Sequence, residues 1–233
     1  MRLHRFYISE PIVGLTFDIS NRDLISQWRN VFRYNVGSQV ILFDGSGTDY
    51  LCIISSLRNL GATVSVIKKM TNNPVPKKNV WLCVGLIKKD NFELVVQKAT
   101  ELGITAIIPV LCDRSEKKNI NMKRLQKIAI EASEQSGRGG LPYIDDVVEL
   151  SDLLESDMLP EEKMVLDQNG RYIADFLSDK NPKDLAVFIG PEGGWSDREM
   201  KELAFHNIAN VSLGPQTLRA ETAAIAISSL LLL

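Results

Sequence analysis

The chain has 233 residues, 45% of them hydrophobic and 24% charged, and carries a formal net charge of -2. This length suits one large domain or two modest ones, and the composition is that of a globular protein rather than a disordered or strongly basic one. Cys52, Cys83 and Cys112 are scattered, with no CxxC, and the two histidines, His4 and His206, cannot build a zinc site, so reduced buried thiols and no metal are expected. The first residues lack an apolar signal core, and the longest apolar run, Ala223 to Leu233, is shorter than the roughly 20 residues that span a bilayer. A cytoplasmic protein with no membrane partner is the expectation.

In chain order, short strands come first: residues 5–8, 15–19, 39–43, 49–55 and 63–67. The third and fourth flank Asp44-Gly45-Ser46-Gly47, a hairpin signal. Between the second and third, residues 21–32 read as a helix capped by Ser20. The pattern predicts a small antiparallel barrel. Residues 71–78, with Pro74 and Pro76, read as a linker, which divides the chain into domains 1–70 and 79–233.

Beyond the linker the apolar runs 80–87, 104–110, 164–167, 185–190 and 210–213 lack alternation, as strands buried on both faces of a parallel sheet do. Helices lie between them. Phe92, Val95, Val96, Ala99 and Leu102 share one helical face, with Asp90 and Glu93 resembling a capping box, and Met122, Leu125, Ile128, Ala129 and Ala132 repeat the spacing. Strand and helix in alternation imply an α/β domain. Basic pairs recur at Lys68-Lys69, Lys77-Lys78, Lys88-Lys89, Lys117-Lys118 and Lys123-Arg124, a pattern equally suited to RNA contact and to a solvated surface.

Two strand-to-helix turns are the candidate chemical sites. The first is Gly190-Pro191-Glu192-Gly193-Gly194-Trp195-Ser196, whose glycines permit close backbone approach to a ligand and whose Ser196 and Glu199 fit a capping box; a ligand-free tight turn has the same appearance. The second runs from Leu213 and Gly214 through Leu218 to Thr222. There Arg219 and Glu221 stand at the start of a helix that is apolar nearly all round, residues 223–233, which therefore should be buried. Charges beside a buried element are paired or serve a ligand, and an Arg219–Glu221 ion pair fits as well as a site. No GxGxxG, P-loop, GxSxG or HExxH is present, which demotes hydride transfer, nucleotide hydrolysis, serine hydrolysis and zinc proteolysis.

Taken together, the two turns resemble the paired signature of the bacterial 16S rRNA uracil-N3 methyltransferases. The likeness extends to residues 97–104, Asp113-Arg114-Ser115, residues 131–138 and the opening Arg2-Leu3-His4-Arg5-Phe6, in the family's order, and so covers nearly the whole chain. The segment Pro215-Gln216-Thr217 departs from it, since a basic and an aliphatic residue are usual there.

The resemblance implies a PUA-like β-barrel followed by an α/β knotted (SPOUT, trefoil-knot) methyltransferase domain with a mostly parallel sheet. It implies S-adenosylmethionine held by Gly190, Pro191, Glu192, Gly193, Gly194, Leu213, Gly214, Leu218 and Thr222. It implies a homodimer packed through knot helices, with 16S rRNA of the small subunit as substrate. Under it, Arg219 stabilises charge on a uracil carbonyl oxygen and Glu221 acts as base or orients Arg219. Arg2, Arg5, Lys68 and Lys69 of the barrel, with Arg114 and Arg138, would contact RNA. The competing expectations are a knotted methyltransferase acting on a ribose 2′-hydroxyl or a tRNA base, and a non-catalytic RNA-binding assembly protein.

Overall fold

The computed structural model describes residues 3–72, 76–115 and 120–233. Arg2, the Lys117-Lys118 pair and the middle of the expected linker fall outside the described residues. The chain packs into two units, one of Met1–Val75 with Ser133–Leu141, the other of Pro76–Ala132 with Pro142–Leu233.

The smaller unit is a five-stranded sheet of β1 (Arg5–Tyr7), β2 (Thr16–Ile19), β3 (Gln39–Phe43), β4 (Thr48–Leu57) and β5 (Ala62–Thr71), in the order β1-β3-β4-β5-β2. Its pairs are antiparallel except β1 with β3. The expected strands and hairpin are present, but the sheet is open along this path, with β1 and β2 as its ends. The expected helix is shorter than its pattern: α1 (Arg22–Ser26) passes into a π-helical turn, Gln27–Val31. Its cap is Asn21, not Ser20, because the Asn21 side chain reaches the Leu24 amide. Ile25 and Trp28 from this segment bury completely with Phe6, Val40, Leu42, Cys52, Ile54 and Val64.

The larger unit carries a parallel sheet of β6 (Asn79–Gly85), β7 (Ala106–Leu111), β8 (Tyr143–Ile144), β9 (Val148–Glu149), β10 (Lys163–Tyr172), β11 (Asp184–Ile189) and β12 (Ala209–Ser212). The order is β12-β10-β11-β6-β7-β8, with β9 also on β7. Helices α2 (Lys89–Leu102), α3 (Met122–Ser136), α4 (Leu150–Leu154), α5 (Ile173–Asp179), α6 (Asp197–Phe205) and α7 (Ala220–Leu232) connect the strands. Both faces of the sheet are covered. In β11, Leu185, Val187 and Ile189 join one core with residues of α2, α5 and α7, while Ala186 and Phe188 join a second with residues of α4 and α6. This two-sided burial is why these strands show no polar alternation in sequence.

Helix α2 begins at Lys89 with Lys88 as cap residue and no side-chain cap bond. Asp90 lies inside its first turn, so the expected capping box is absent; Glu93 instead faces Lys89 and Arg124. Helix α7 is buried on one side only. Ala224, Ile227, Ser228 and Leu231 face the core, whereas Leu230 and Leu233 are exposed. All three cysteines are buried and unpaired by disulfide, and burial raises each thiol, Cys52 to about 12. None is a thiolate nucleophile at neutral pH.

Strand β10 is irregular where it matters most. Leu166 and Arg171 both register with Val211 of β12, so residues 167–170 loop out between two stretches of pairing. Gly170 makes the return possible: a Cβ there would lie 2.5 Å from the Val211 nitrogen and 2.6 Å from its carbonyl carbon. Gly170→Ala is therefore expected to lower the unfolding free energy by about 1–3 kcal/mol, the usual cost of an overpacked site. In urea the midpoint should fall with the slope unchanged.

Candidate active site

The strands β10, β11 and β12 are neighbours and parallel, so the turns leaving them open on one edge of the sheet. In parallel sheets that edge is where ligands bind. A cavity of about 430 Å³ lies there, walled by residues 166–168, 189–192, 194–195, 211–214 and 216–220 with Ala223. The two turns singled out in the sequence thus share one space.

Of the expected cradle, Gly190, Pro191, Glu192, Gly194, Leu213, Gly214 and Leu218 line the cavity, as does Arg219. Gly193, Thr222 and Glu221 are not among the lining residues. Gly193 instead meets the Arg114 side chain, whose Nη1 donates to its carbonyl at 3.0 Å. Thr222 is exposed. Glu221 is buried in the first turn of α7, with Oε2 accepting no hydrogen bond from the described residues. Among those residues Arg219 forms no ion pair with Glu221, which removes the structural pairing that the sequence left open. Arg219 is exposed at the start of α7, in extended backbone.

Sequence reasoning missed the third wall. Asp167 ends the expected strand 164–167 and Gln168 follows it, and neither was read as part of a site, yet both line the cavity. Gln168 Nε2 donates to the Pro215 carbonyl at 3.3 Å, and Thr217 Oγ1 donates to Gln168 Oε1 at 3.0 Å. Trp195 also lines the space, and its indole Nε1 donates to the Leu166 carbonyl at 3.4 Å. A Cβ on Gly190 would stand 3.2 Å from this indole, so the glycine gives the ring its place.

The turn after β11 is held by a buried carboxylate. Glu199 is fully enclosed; Oε1 accepts from the Asp113 amide at 2.8 Å and Oε2 from the Ser196 amide at 2.7 Å. The Ser196 hydroxyl in turn accepts from the Glu199 amide, completing the expected capping box. Arg198 donates to both oxygens of Asp113, at 2.6 and 3.2 Å, and Ser196 Oγ adds a 2.5 Å bond. Arg198 and Ser196 hold the Asp113 carboxyl below its ordinary range. Its stabilising contribution is thus present at neutral pH and is lost as pH falls below about 4. Glu192 Oε1 accepts from the Lys88 amide at 2.9 Å, tying the same turn to the start of α2.

The expected RNA contacts divide sharply. Arg5 is corrected to an internal role. Its side chain is 10% exposed and bonds Asp49 through two nitrogens, the Ser133 carbonyl and the Arg138 carbonyl, while lying 4.2 Å from the Phe43 ring centre. With those donors engaged it presents no free fork to phosphate. Lys68 and Lys69 are exposed on β5, and Arg114 is exposed beside Gly193. Arg138 is half-buried, and burial draws its guanidinium down to about 10, still charged at neutral pH.

The chain matches the family model described as an RNA methyltransferase domain over residues 73–232 and that of an RNA methyltransferase PUA domain over residues 29–67. It is 32% identical over 230 residues to a ribosomal RNA small subunit methyltransferase E of Rickettsia conorii, covering 97% of this chain and 93% of that one. The protein of the same name from Bacillus subtilis is 31% identical, with 89% and 86% covered. The crystal structure of a ribosomal RNA small subunit methyltransferase E from Neisseria gonorrhoeae bound to S-adenosyl methionine superposes with a TM-score of 0.88 at 28% identity, covering 98% of this chain and 96% of that one.

Glu199→Ala would strip two main-chain donors of their buried acceptor. Each unsatisfied buried group costs about 1–3 kcal/mol, so a loss on the order of 2–6 kcal/mol is expected in equilibrium denaturation. A change below about 0.5 kcal/mol would show that the turn is held by other contacts.

Proposed function

The chain belongs to the RNA methyltransferase family, and on that premise we propose that it moves a methyl group from S-adenosylmethionine to ring N3 of a uracil in 16S ribosomal RNA of the small subunit. The observation that carries the reading is the single cavity shared by three strand-end turns, with Arg219 on its rim. The relatives' names supply the ribosomal substrate.

The residues present suit the cofactor. The cavity is within the usual range for small-molecule pockets, several hundred cubic ångströms. Leu166, Ile189, Val211, Ala220 and Ala223 offer apolar wall to a purine ring, while Asp167 and Glu192 give the same space an acidic character that favours a cationic ligand. When bound, S-adenosylmethionine supplies an electrophilic methyl on a sulfonium. The chain's task is then to hold the acceptor nitrogen in line at about 3–3.5 Å and to help it lose its proton. Uracil N3 is a weak nucleophile until that proton leaves, and the negative charge so formed spreads to the ring carbonyl oxygens. Arg219, exposed on the rim and without an ion-pair partner among the described residues, is placed to stabilise that charge. Glu221 is buried outside the cavity lining, which favours an indirect role at the start of α7 over proton abstraction.

Several finer features belong to the same reading. A trefoil knot is supported by the chain path: β12 is an edge strand, yet α7, which follows it, packs against α2, β6 and β11 nearer the middle of the sheet. Dimerisation through α7 is supported by its exposed Leu230 and by the exposed Leu233 that follows it. RNA contact by the smaller unit is supported by its nine basic against six acidic residues, with Lys68 and Lys69 exposed. Arg114 and Arg138 are kept as further contacts. A cytoplasmic location follows from the substrate; among the described residues no helix is long and apolar enough to cross a membrane.

Arg219→Ala is expected to lower the methylation rate on the order of 10²–10³-fold, the usual cost of a lost transition-state donor, while cofactor affinity changes less than about threefold. Full activity would remove Arg219 from the chemistry. Asp167→Asn should weaken S-adenosylmethionine several-fold in calorimetry and leave the product S-adenosylhomocysteine, which lacks the sulfonium charge, nearly unaffected, as one charge contact in a partly hydrated site allows. Equal losses for both would show that Asp167 does not sense the sulfonium charge.

A further inference from the structure

The geometry points to Gln168 as the positioning residue that holds the Arg219-bearing turn against the cavity, through both ends of its amide. This inference rests on the reading of the cavity as a cofactor site and names how one wall of it is fixed.

The turn from β12 to α7 has few internal restraints. Near its start the Ser212 hydroxyl bonds the Gly214 amide and carbonyl, at 3.2 and 3.1 Å. Gly214 itself sits at φ 141°, a region L side chains rarely enter. From Pro215 to Arg219 every residue is exposed, so packing does not hold the segment. The Arg219 side chain makes no hydrogen bond or ion pair with the described residues, and its carbonyl accepts from the Ala223 amide at 2.9 Å, so the course of the backbone decides where its guanidinium stands.

Gln168 supplies the missing restraint. It lies in the looped-out part of β10, just beyond the register with Val211 at Leu166. Its Nε2 donates to the Pro215 carbonyl and its Oε1 accepts from the Thr217 hydroxyl. Two bonds of opposite sense from one planar amide fix both the distance and the tilt of the turn. Neither a carboxylate nor an aliphatic side chain can make both. The pairing also gives a physical reason for Thr217: its hydroxyl is the donor that the amide oxygen needs. Pro215, with no amide hydrogen and a fixed φ, offers a stiff carbonyl as the other partner. The turn that departs from the family pattern in the sequence is thus the one that Gln168 secures.

The test is a double-mutant cycle read by calorimetric titration with S-adenosylmethionine. Gln168→Ala and Thr217→Val are each expected to weaken binding about three- to tenfold, and the double variant no more than about twofold further than Gln168→Ala, because the two groups act as one contact. Gln168→Glu, which keeps an acceptor for Thr217 but loses the amide donor, should fall between wild type and Gln168→Ala. Since both side chains are exposed, the thermal midpoint should not move. Losses that multiply in the double variant, or variants that bind like wild type, overturn the inference. A second readout is independent of the cofactor: in cofactor-free protein, Gln168→Ala should speed amide exchange over residues 213–219 and leave residues 190–195 unchanged, and equal exchange in both proteins counts against the latch. Wild-type protein that fails to bind S-adenosylmethionine while the variant still shows faster exchange sinks the cofactor reading and leaves the latch standing.

Discussion

Three parallel strands that stop at one edge of a sheet leave main-chain donors and acceptors beyond the last ladder bonds, and these must find partners. How they are satisfied determines the site. Glu199 accepts from the amides of Asp113 and Ser196, Trp195 donates to the Leu166 carbonyl, and Gln168 bonds the Pro215 carbonyl. All of these bonds except that from Ser196, which lies within the turn after β11, join one strand end to another. The cavity is the space left once the three turns are tied in this way, and its walls are main chain, glycine and a few anchored side chains rather than a row of reactive groups.

This arrangement matches chemistry that depends chiefly on placement. A sulfonium methyl needs no activation by metal or nucleophile, so a site that grips one ligand and aligns another suffices. The residues around the cavity divide accordingly. Glycines at 190 and 194 allow close approach, Glu199 fixes the turn after β11, Gln168 fixes the turn after β12, and Arg219 stands free on the rim. The smaller unit, with its basic excess, complements an acidic larger unit, and the modest net charge of the whole conceals that asymmetry.

Much of the larger unit was legible because its signals are local. Strands buried on both faces appear as unbroken apolar runs, and the capping box at Ser196 and Glu199 lies within four residues. The two Gly- and Arg-bearing turns were visible for the same reason. What stayed hidden was non-local. Residues 167–170 carry no mark that β10 resumes pairing at Arg171 with Val211, forty residues later. Arg5 looked like a surface cation because its partner Asp49 is 44 positions away. The Asp90 and Glu93 pair had the spacing of a cap, but Glu93 faces Arg124 of another helix. The apolar pattern of α7 announced burial without saying which side would remain open.

In the proposed function the turns after β10, β11 and β12 grip one S-adenosylmethionine together. Ultraviolet irradiation of the protein with tritium-labelled S-adenosylmethionine, followed by peptide mapping of the attached label, tests it directly. Label confined to peptides containing residues 166–170, 190–195 and 212–219, and suppressed by excess unlabelled cofactor, is the predicted result. Specific, competable label elsewhere in the chain, with none in these three segments, would contradict it.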